Sequence, residues 1–349
     1  MKNTVDRLWL TGNRADIGSG FSTPSAEVRF SGSFLSSMND FIRATSVSVV
    51  VPVYNSEATL ASLTERLDAE LRGRVGALEL ILVNDGSRDR SWPVVLELAN
   101  RYPWVRGIDL KRNYGQHNAL LCGIRAAKHD VIVTMDDDLQ HPPEEIPKLL
   151  AILGEGADVV YGTPREEQHD FLRNLASRVT KIALQSTMGA ETARKVSAFR
   201  AFRTSIREAF EDYRSPFVSI DVLLTWGSTR FASLPVEHQP RAAGVSNYTF
   251  RKLVIHAINM MTGFSTLPLQ MASIIGFTFT LVGIGVLIYV VGRYFIQGGS
   301  IPGFPFLAST IAIFSGAQLF ALGIIGEYLA RMHFRMMERP TYAVREHVS

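Results

Sequence analysis

The 349-residue sequence lacks several features that would identify its chemistry at once. It holds one cysteine, Cys122, which excludes an internal disulfide and favours a reducing compartment. A formal net charge of +3 is too small to indicate a nucleic-acid partner. Neither G-x-G-x-x-G after a strand nor G-x-x-x-x-G-K-[ST] occurs, so a bound nucleotide would need another means of neutralising its phosphates.

A secretory signal is also absent, because the first 44 residues are polar and contain no apolar core segment. Residues 1–44 are therefore predicted to form a disordered N-terminal tail. We expect the folded part of the chain to begin near residue 45.

Two long apolar runs stand near the C-terminus. Residues 271–292 contain no charged side chain, and residues 301–326 form a second such run. As helices that rise about 1.5 Å per residue, both would cross a hydrocarbon core about 30 Å thick. A buried helical hairpin in a soluble core is the alternative, but two such lengths in succession favour a two-helix transmembrane hairpin over residues 270–330.

The basic residues beside these runs predict their orientation. Positive charge lies outside the hairpin, and the loop between the runs carries only Arg293 at its edge. The positive-inside rule then predicts an inner-membrane protein whose catalytic part, both termini and tail at 331–349 are cytoplasmic. Residues 249–269 are predicted to form an interfacial amphipathic helix in contact with membrane lipids. Ala312 and Gly316 are spaced for close helix packing, which suggests a homo-oligomer. The flanking basic residues are Arg251, Lys252, Arg331, Arg335 and Arg339.

Between residues 45 and 248, short β-branched runs alternate with helical patterns. Leucines at helical spacing predict one helix near residues 60–71, and a second is expected at about 116–128. Strands separated by helices of this size predict an α/β fold with a doubly wound parallel sheet. Such sheets bind ligands beyond the carboxyl ends of their strands. The predicted strands are residues 47–53, 78–83, 105–110, 131–135 and 158–162.

Polar clusters follow the first four predicted strands and therefore fall on one edge of the sheet. They read VPVYNSE, NDGSRD, KRNYGQ and DDDLQ, and each alone could be turn chemistry. The last cluster brings together Asp136, Asp137 and Asp138, where each carboxylate raises the cost of ionising the next. A solvated acidic loop is one interpretation. A divalent cation, which turns repulsion into coordination, is the sharper hypothesis.

Five ordered motifs and the paired spans point to one family. The motifs are VVPVYNSE, VNDGSRD, KRNYGQHNALLCGI, MDDDLQHPPEEIPKLL and FRAFR, followed by R-x-x-G-x-S-x-Y at 241–248 and spans ending in GEY and RPTY. From about Val47 to the C-terminus the chain resembles the polyprenyl-phosphate glycosyltransferases. These inverting nucleotide-sugar enzymes include bactoprenol glucosyltransferases, aminoarabinose-branch transferases and dolichyl-phosphate mannose synthases. The resemblance implies a glycosyltransferase A-type sheet followed by the membrane hairpin.

The resemblance also implies roles for individual residues. Asp136, Asp138 and Gln140 match the ligands of Mg²⁺ or Mn²⁺, and Asp138 and Arg200 match catalytic positions. Arg200 would receive the lipid phosphate, with Arg203 as a helper, although a structural ion pair is the alternative for Arg200. The implied nucleotide-sugar contacts are Pro52, Tyr54, Asn55, Glu57, Asp85, Ser87, Asp137, Arg241, Ser246 and Tyr248.

Two departures from the family pattern touch donor or acceptor contacts. Lys195 and Ser197 stand in the neighbourhood where the family commonly has Asp and Gly, and Asn247 replaces a lysine in the closing loop. Both changes suggest an unusual sugar.

The resulting prediction is transfer of a sugar from a UDP-linked donor to undecaprenyl phosphate at the cytoplasmic membrane face. A processive polysaccharide synthase is the nearest enzymatic alternative, but its Q-x-x-R-W signature and larger set of spans are missing. A catalytically silent membrane scaffold that binds sugar nucleotides is the alternative of another class. The intact Asp136, Asp138 and Gln140 argue against that scaffold.

Overall fold

The computed structural model describes residues 39–164, 196–215, 217–239, 267–297, 303–337 and 339–349. Residues 39–44, predicted as the end of the tail, are helical. Several predicted features lie outside the described residues: Arg241, Ser246, Tyr248, Lys195, Asn247, residues 1–38 of the tail and residues 249–266 of the interfacial helix.

The elements alternate as the sequence pattern predicts, and their bounds agree with it closely through the first five strands. In chain order they are β1 (Ser46–Val53), α1 (Leu60–Leu71), β2 (Ala77–Asn84), α2 (Ser91–Arg101), β3 (Val105–Leu110), α3 (Gln116–Ala126), β4 (Val131–Thr134), a 3₁₀ turn (Pro143–Glu145), α4 (Ile146–Gly154) and β5 (Val159–Pro164). After them come β6 (Arg200–Arg203), a 3₁₀ helix (Thr204–Phe210), α5 (Ile220–Gly227), β7 (Phe231–Val236), α6 (Leu267–Gln297), α7 (Phe304–Met336) and β8 (Val344–Val348).

One eight-stranded sheet organises these elements in the order β7-β5-β6-β4-β1-β2-β3-β8. β1 pairs in parallel with both β2 and β4, and β2 pairs in parallel with β3. The carboxyl ends of these four strands therefore meet at one edge, which we call the catalytic edge. The prediction that the polar clusters share an edge is confirmed.

The five predicted strands run in one direction, as expected of a parallel sheet, but the complete sheet is mixed. β6 runs antiparallel to both β4 and β5, and β8 runs antiparallel to β3. β6 is a four-residue strand that holds the FRAFR arginines, and β8 comes from the extreme C-terminus. Short strands without clear alternation give little periodic signal, so the sequence pattern missed both of them.

Helices cover both faces of the sheet, which explains why its strands are apolar on both sides. Val49, Val51 and Val53 of β1 face the layer of α1, α2 and α4, where the leucines of α1 are fully buried. Val50 points the other way, into the layer that contains α3 and α5. The sheet is thus a packed core that holds the catalytic-edge loops in place.

α6 and α7 are long and apolar enough to cross a membrane. The candidate spans are Pro268–Arg293 and Ile313–Met336, and neither is buried inside the protein. Large apolar side chains such as Ile274, Leu287 and Leu319 are more than half exposed along them. Exposing such side chains to water is unfavourable, so lipid is the environment that suits these helices.

The segment predicted as a cytoplasmic tail at 331–349 is structured. α7 continues to Met336, and residues Val344–Val348 form the edge strand β8 of the catalytic sheet. The C-terminus is therefore part of the α/β fold, because β8 supplies the hydrogen bonds that the edge of β3 would otherwise lack.

Candidate active site

The loops after β1 and β2 bind each other through main-chain and side-chain contacts. The N–H of Asn55 donates to Ser87 Oγ at 3.0 Å, and Asn55 Oδ1 accepts from the N–H of Arg88 at 2.8 Å. Glu57 accepts from the N–H of Arg90 at 2.9 Å. Asn55 has a φ of 55°, in the left-handed region that asparagine tolerates better than most residues. Three predicted nucleotide-sugar residues, Asn55, Glu57 and Ser87, therefore lie together.

Pro52 and Tyr54 lie on either side of the end of β1. Pro52 is buried in the strand, in register with Val83 of β2. Tyr54 is 42% exposed, and its N–H donates to the Asp137 carboxylate at 3.2 Å. The first and fourth strands are thus joined at the catalytic edge through the middle carboxylate of the acidic cluster.

Asp85 orders the loop between β3 and α3. Its two carboxylate oxygens accept from the N–H groups of Tyr114 at 2.7 Å and Gly115 at 2.8 Å. Burial raises the pKa of Asp85, although these two hydrogen bonds oppose the shift. The next residue, Gly86, has a φ of 67°, and a Cβ there would lie 2.6 Å from the backbone nitrogen of Asn113. The β2 loop therefore needs glycine at this point.

The three carboxylates at the end of β4 have different partners. Asp136 accepts from Gln116 Nε2 at 2.6 Å, and Asp138 accepts from the N–H of Gln140 at 3.1 Å. Asp137 accepts from Ser56 Oγ as well as from Tyr54. Burial raises the pKa of Asp137, hydrogen bonds from Ser56 and Tyr54 oppose the shift, and the Asp138 charge adds to it. The cluster is an electrostatically costly arrangement at the centre of the catalytic edge.

The donor set at this loop suits a hard divalent cation. Asp136, Asp138 and Gln140 offer oxygen ligands only, which Mg²⁺ and Mn²⁺ prefer. In the part of the chain that the structure describes, no three His, Cys, Asp or Glu side chains are grouped to enclose a metal. Two carboxylates and an amide would not fill the coordination sphere of such a cation, so the donor chemistry of these residues fits a hard divalent ion with room for further oxygen ligands.

Arg200 lies in a buried ion pair. Its guanidinium donates to the Asp221 carboxylate of α5, and it is centred 5.9 Å from the ring of Tyr161. Only 1% of Arg200 is exposed. Register with Thr134 places Arg200 at the catalytic end of β4. The described contacts match the structural-ion-pair alternative, and the acceptor-phosphate role stays a prediction.

Arg203 does not reach the catalytic edge, contrary to its predicted role as a helper at the acceptor phosphate. It pairs in register with Val131, at the opposite end of β4 from the carboxylates. Its guanidinium donates to the carbonyl of Leu153 at 2.9 Å and lies 3.6 Å from Asp158. The two arginines stand three residues apart in an extended strand, and the antiparallel pairing with β4 leaves only Arg200 at the carboxyl end of β4.

Sequence reasoning missed several residues that complete the edge. Ser56 and Gln116 bind the carboxylate cluster, and both stand inside motifs that had already been recognised. Asp221 belongs to none of the recognised motifs, so the sequence did not predict its ion pair with Arg200. His141 is 8% exposed, and neither ring nitrogen has a hydrogen-bond partner within the described residues. Its ring stacks on Phe199, with centroids 5.3 Å apart.

Comparison with known proteins assigns the family. The model of glycosyl transferase family 2 matches residues 48–213. The undecaprenyl-phosphate 4-deoxy-4-formamido-L-arabinose transferase of Proteus mirabilis is 35% identical over 88% of this chain and 96% of its own length. The chain belongs to glycosyltransferase family 2. A transferase of the same name from Pseudomonas aeruginosa is 36% identical over 85% of this chain and 89% of its own length.

Solved structures of lower identity show the same fold for this family 2 enzyme. Glucosyl-3-phosphoglycerate synthase from Mycobacterium tuberculosis, in complex with Mn²⁺, UDP-glucose and phosphoglyceric acid, matches with a TM-score of 0.50. The match covers 67% of this chain and 84% of that chain at 19% identity. The glycosyltransferase A-type fold implied by the sequence motifs is confirmed.

Proposed function

We propose that this family 2 glycosyltransferase transfers a sugar from a UDP-sugar to undecaprenyl phosphate, with inversion at the anomeric carbon. The observation that carries the proposal is the convergence of the β1, β2 and β4 loops at one edge, with Tyr54 bound to Asp137 and Asn55 bound to Ser87. The acceptor class comes from the relatives, which are named as undecaprenyl-phosphate sugar transferases. The same chain carries two candidate membrane spans, as an enzyme with a lipid acceptor requires.

The nucleoside part of the donor is assigned to the β1 and β2 loops. The exposed ring of Tyr54 offers a flat apolar surface beside Asn55 and Glu57. The Asn55 and Glu57 side chains hold the N–H groups of residues 88 and 90, so they also fix the shape of the pocket. Arg241, Ser246 and Tyr248 are proposed to close over the donor phosphates.

A divalent cation is assigned to Asp136, Asp138 and Gln140. A solved structure of this fold holds Mn²⁺ together with UDP-glucose, which supports such a cation here, and the oxygen donors accept Mg²⁺ equally. When bound, the cation neutralises negative charge on the diphosphate leaving group. Asp137 instead accepts hydrogen bonds from Ser56 and Tyr54, so we assign it a structural role in this loop.

The reaction needs little acid or base chemistry from the protein. An oxygen of the acceptor phosphate, ionised near neutral pH, forms the bond to the anomeric carbon. The bond from that carbon to the diphosphate oxygen breaks, and UDP leaves with the electron pair. No proton moves in this step. The chain's own residues therefore act by orienting the two substrates and excluding water from the acceptor's position.

Arg200 is proposed to take part on the acceptor side. Its position beside the end of β4 suits that role, but its guanidinium already faces Asp221. The lipid phosphate would therefore have to compete with the Asp221 carboxylate for the guanidinium. This requirement makes the role testable through the ion pair.

The proposal is tested with purified enzyme, a panel of radiolabelled nucleotide sugars and undecaprenyl phosphate, followed by lipid extraction. We expect label in the lipid phase with one UDP-sugar, dependent on added divalent cation. No labelled lipid with any donor, together with measurable donor binding, would support the catalytically silent scaffold instead. Polymeric product would support the processive synthase.

The proposed topology places the catalytic domain and both termini in the cytoplasm. A cysteine introduced at Gly299, between the spans, should react with an impermeant reagent from outside the cell. A cysteine introduced at Ser349 should not. Native Cys122 gives little background because it is buried, and burial raises its pKa to about 12. The reverse labelling pattern would contradict the proposal.

A further inference from the structure

The C-terminal segment is fastened to the catalytic edge by main-chain bonds. β8 pairs antiparallel with β3, from Gly107 opposite Val348 to Leu110 opposite Val344. Beyond the strand, the N–H of Lys111 donates to the carbonyl of Ala343 at 2.9 Å. The chain that arrives from α7 thus joins the sheet at the carboxyl end of β3, on the catalytic edge.

Side-chain contacts reinforce the pairing of β8 with β3. Arg345 donates to the Asp109 carboxylate at 2.9 Å and to the carbonyl of Lys111 at 2.9 Å. Asp109 is buried and also accepts from Asn84 Nδ2 at 2.7 Å. The Val348 side chain occupies the space that a Cβ on Gly107 would need, since the two would lie 2.7 Å apart. A segment that only covered the edge of β3 would not need this set of specific contacts.

The residues just before β8 also form side-chain contacts with the α/β fold. Thr341 is buried, and the Tyr342 ring lies 5.9 Å from the Arg125 guanidinium of α3. The Tyr342 hydroxyl is hydrogen-bonded to Cys122 of the same helix. Helix α3 begins at Gln116, which binds Asp136. The strap, which we define as residues 339–348, therefore contacts the helix that supports the acidic cluster.

The end of the membrane hairpin forms a second set of contacts with the α/β fold. The Arg331 guanidinium lies 4.7 Å from the ring centroid of Phe217, and Phe334 meets Phe217 edge to face at 6.5 Å. Arg331 is 7% exposed and forms an ion pair with Glu327 at 2.9 Å. These contacts tie the last turns of α7 to the segment that leads into α5.

Only a short segment joins the contacts at the end of α7 to the pairing of β8 with β3. Residues 337–342 separate the end of α7 at Met336 from the start of the sheet pairing at Ala343. Fully extended, six residues span at most about 22 Å. The catalytic edge therefore cannot move far from the end of the second membrane span.

We propose that the strap is a tether that holds the catalytic edge at a fixed distance and orientation relative to the membrane, so that the active site meets a phosphate carried at the bilayer surface. The proposal rests on the lipid-acceptor function proposed above. The tether acts on transfer to a membrane-embedded acceptor, whereas donor binding depends on the β1, β2 and β4 loops. Tyr342 and Arg345 are positioning residues in this scheme.

The test lengthens the tether without removing it. A flexible 12-residue Gly/Ser insertion directly after Met337 adds about 20 Å of reach and keeps every contact of β8. It is made in a Phe217→Ala, Arg335→Ala background, because the Phe217 contacts and the hydrogen bond between Arg335 and Tyr213 would otherwise still hold the helix. The matched control carries the same insertion after Gly73, in the exposed turn between α1 and β2, in the same background.

Two readouts separate the tether from a structural role. A fluorophore on Asn113→Cys reports the distance of the catalytic edge from a lipid-attached quencher. Transfer is measured with undecaprenyl phosphate in vesicles and with a short-chain, water-soluble prenyl phosphate. We expect the lengthened tether to lower quenching at least twofold and vesicle transfer about tenfold. Donor affinity and transfer to the soluble acceptor should stay within twofold of the Gly73 control.

Unchanged quenching, or an equal loss with both acceptors, would overturn the tether and leave β8 as an edge-covering strand. Failure of the proposed function looks different. In that case the unmodified enzyme transfers sugar to neither acceptor, while the change in quenching still supports the tether.

Discussion

Both ends of the sheet bury carboxylates, but the pKa shifts of these carboxylates have opposite directions at the two ends. At the amino end, Glu79 accepts from Ser48 Oγ at 2.6 Å, from the N–H of Lys128 at 2.6 Å and from Arg106 at 2.9 Å. Burial alone would raise the pKa of Glu79, but these bonds outweigh it and the pKa lies below its usual value. At the catalytic edge, the pKa values of Asp85 and Asp137 are raised.

This difference separates a carboxylate paired with Arg106 from two carboxylates that are held by neutral N–H and O–H donors. Glu79 is a satisfied structural anion, with a cation of its own in Arg106. The catalytic edge collects several acids whose like charges oppose ionisation, as the effect of Asp138 on the pKa of Asp137 shows. A bound divalent cation would offset this repulsion. The predictions below alter one end at a time.

The largest effect is expected at Arg200. Arg200→Ala leaves the buried Asp221 without its partner and should lower the free energy of unfolding by about 3–5 kcal/mol. The double variant Arg200→Met with Asp221→Leu should recover part of that loss, because two apolar side chains replace the pair while the buried Tyr161 hydroxyl loses its carboxylate acceptor. Denaturant unfolding of the three proteins measures both effects.

The folded double variant then tests the acceptor role. If Arg200 receives the lipid phosphate, the double variant should show a raised Michaelis constant for undecaprenyl phosphate with unchanged donor affinity by calorimetry. Normal transfer by the stable double variant would make Arg200 purely structural. Weakened donor binding with an unchanged acceptor constant would move Arg200 to the nucleotide side.

The next effect is at the amino end. Glu79→Gln keeps one acceptor oxygen but places an NH₂ among groups that donate, and should cost about 3 kcal/mol of stability. Because the folded pKa of Glu79 is lowered, its contribution is present above the unfolded value of 4.5 and is lost as the pH falls through the folded pKa. The stability difference between wild type and variant should therefore be full at pH 7 and shrink below about pH 4.5. A pH-independent difference would contradict this assignment.

Asp138→Asn should separate catalysis from stability. Loss of one charged ligand is expected to reduce turnover at least 100-fold, about 2.7 kcal/mol of transition-state stabilisation. Stability in chelator should stay level or rise slightly, since the substitution removes a charge that disfavours ionised Asp137. Glu79→Gln is the matched control at the other end, with the opposite pattern. Full turnover in chelator, or in this variant, would contradict the cation assignment.

The sequence predicted the placement of the loops after the parallel strands better than the placement of β6, for a physical reason. Parallel strands carry their following loops to one edge, so the motifs containing Asn55, Ser87 and Asp136 could be placed together from order alone. β6 enters antiparallel between β4 and β5, and no periodic pattern shows that a four-residue strand does so. The separation of Arg200 from Arg203 depends on that pairing. β8 depends on contacts across the whole chain, which local sequence does not encode.

The smallest effect is expected at His141. Within the described residues its two ring nitrogens have no hydrogen-bond partner, and Phe would keep the stacking on Phe199. A buried polar atom without a partner costs free energy. His141→Phe should raise the free energy of unfolding by about 1 kcal/mol, or the melting temperature by about 2–4 °C. His347→Phe is the control, because His347 is exposed on β8 and its replacement should change stability by less than about 0.5 kcal/mol. A stability loss above about 1 kcal/mol in His141→Phe would mean that the imidazole nitrogens have partners in the folded protein. A stabilised variant with impaired transfer would instead assign the His141 imidazole a role in binding substrate, because the loss of its polar atoms would then harm transfer and not stability.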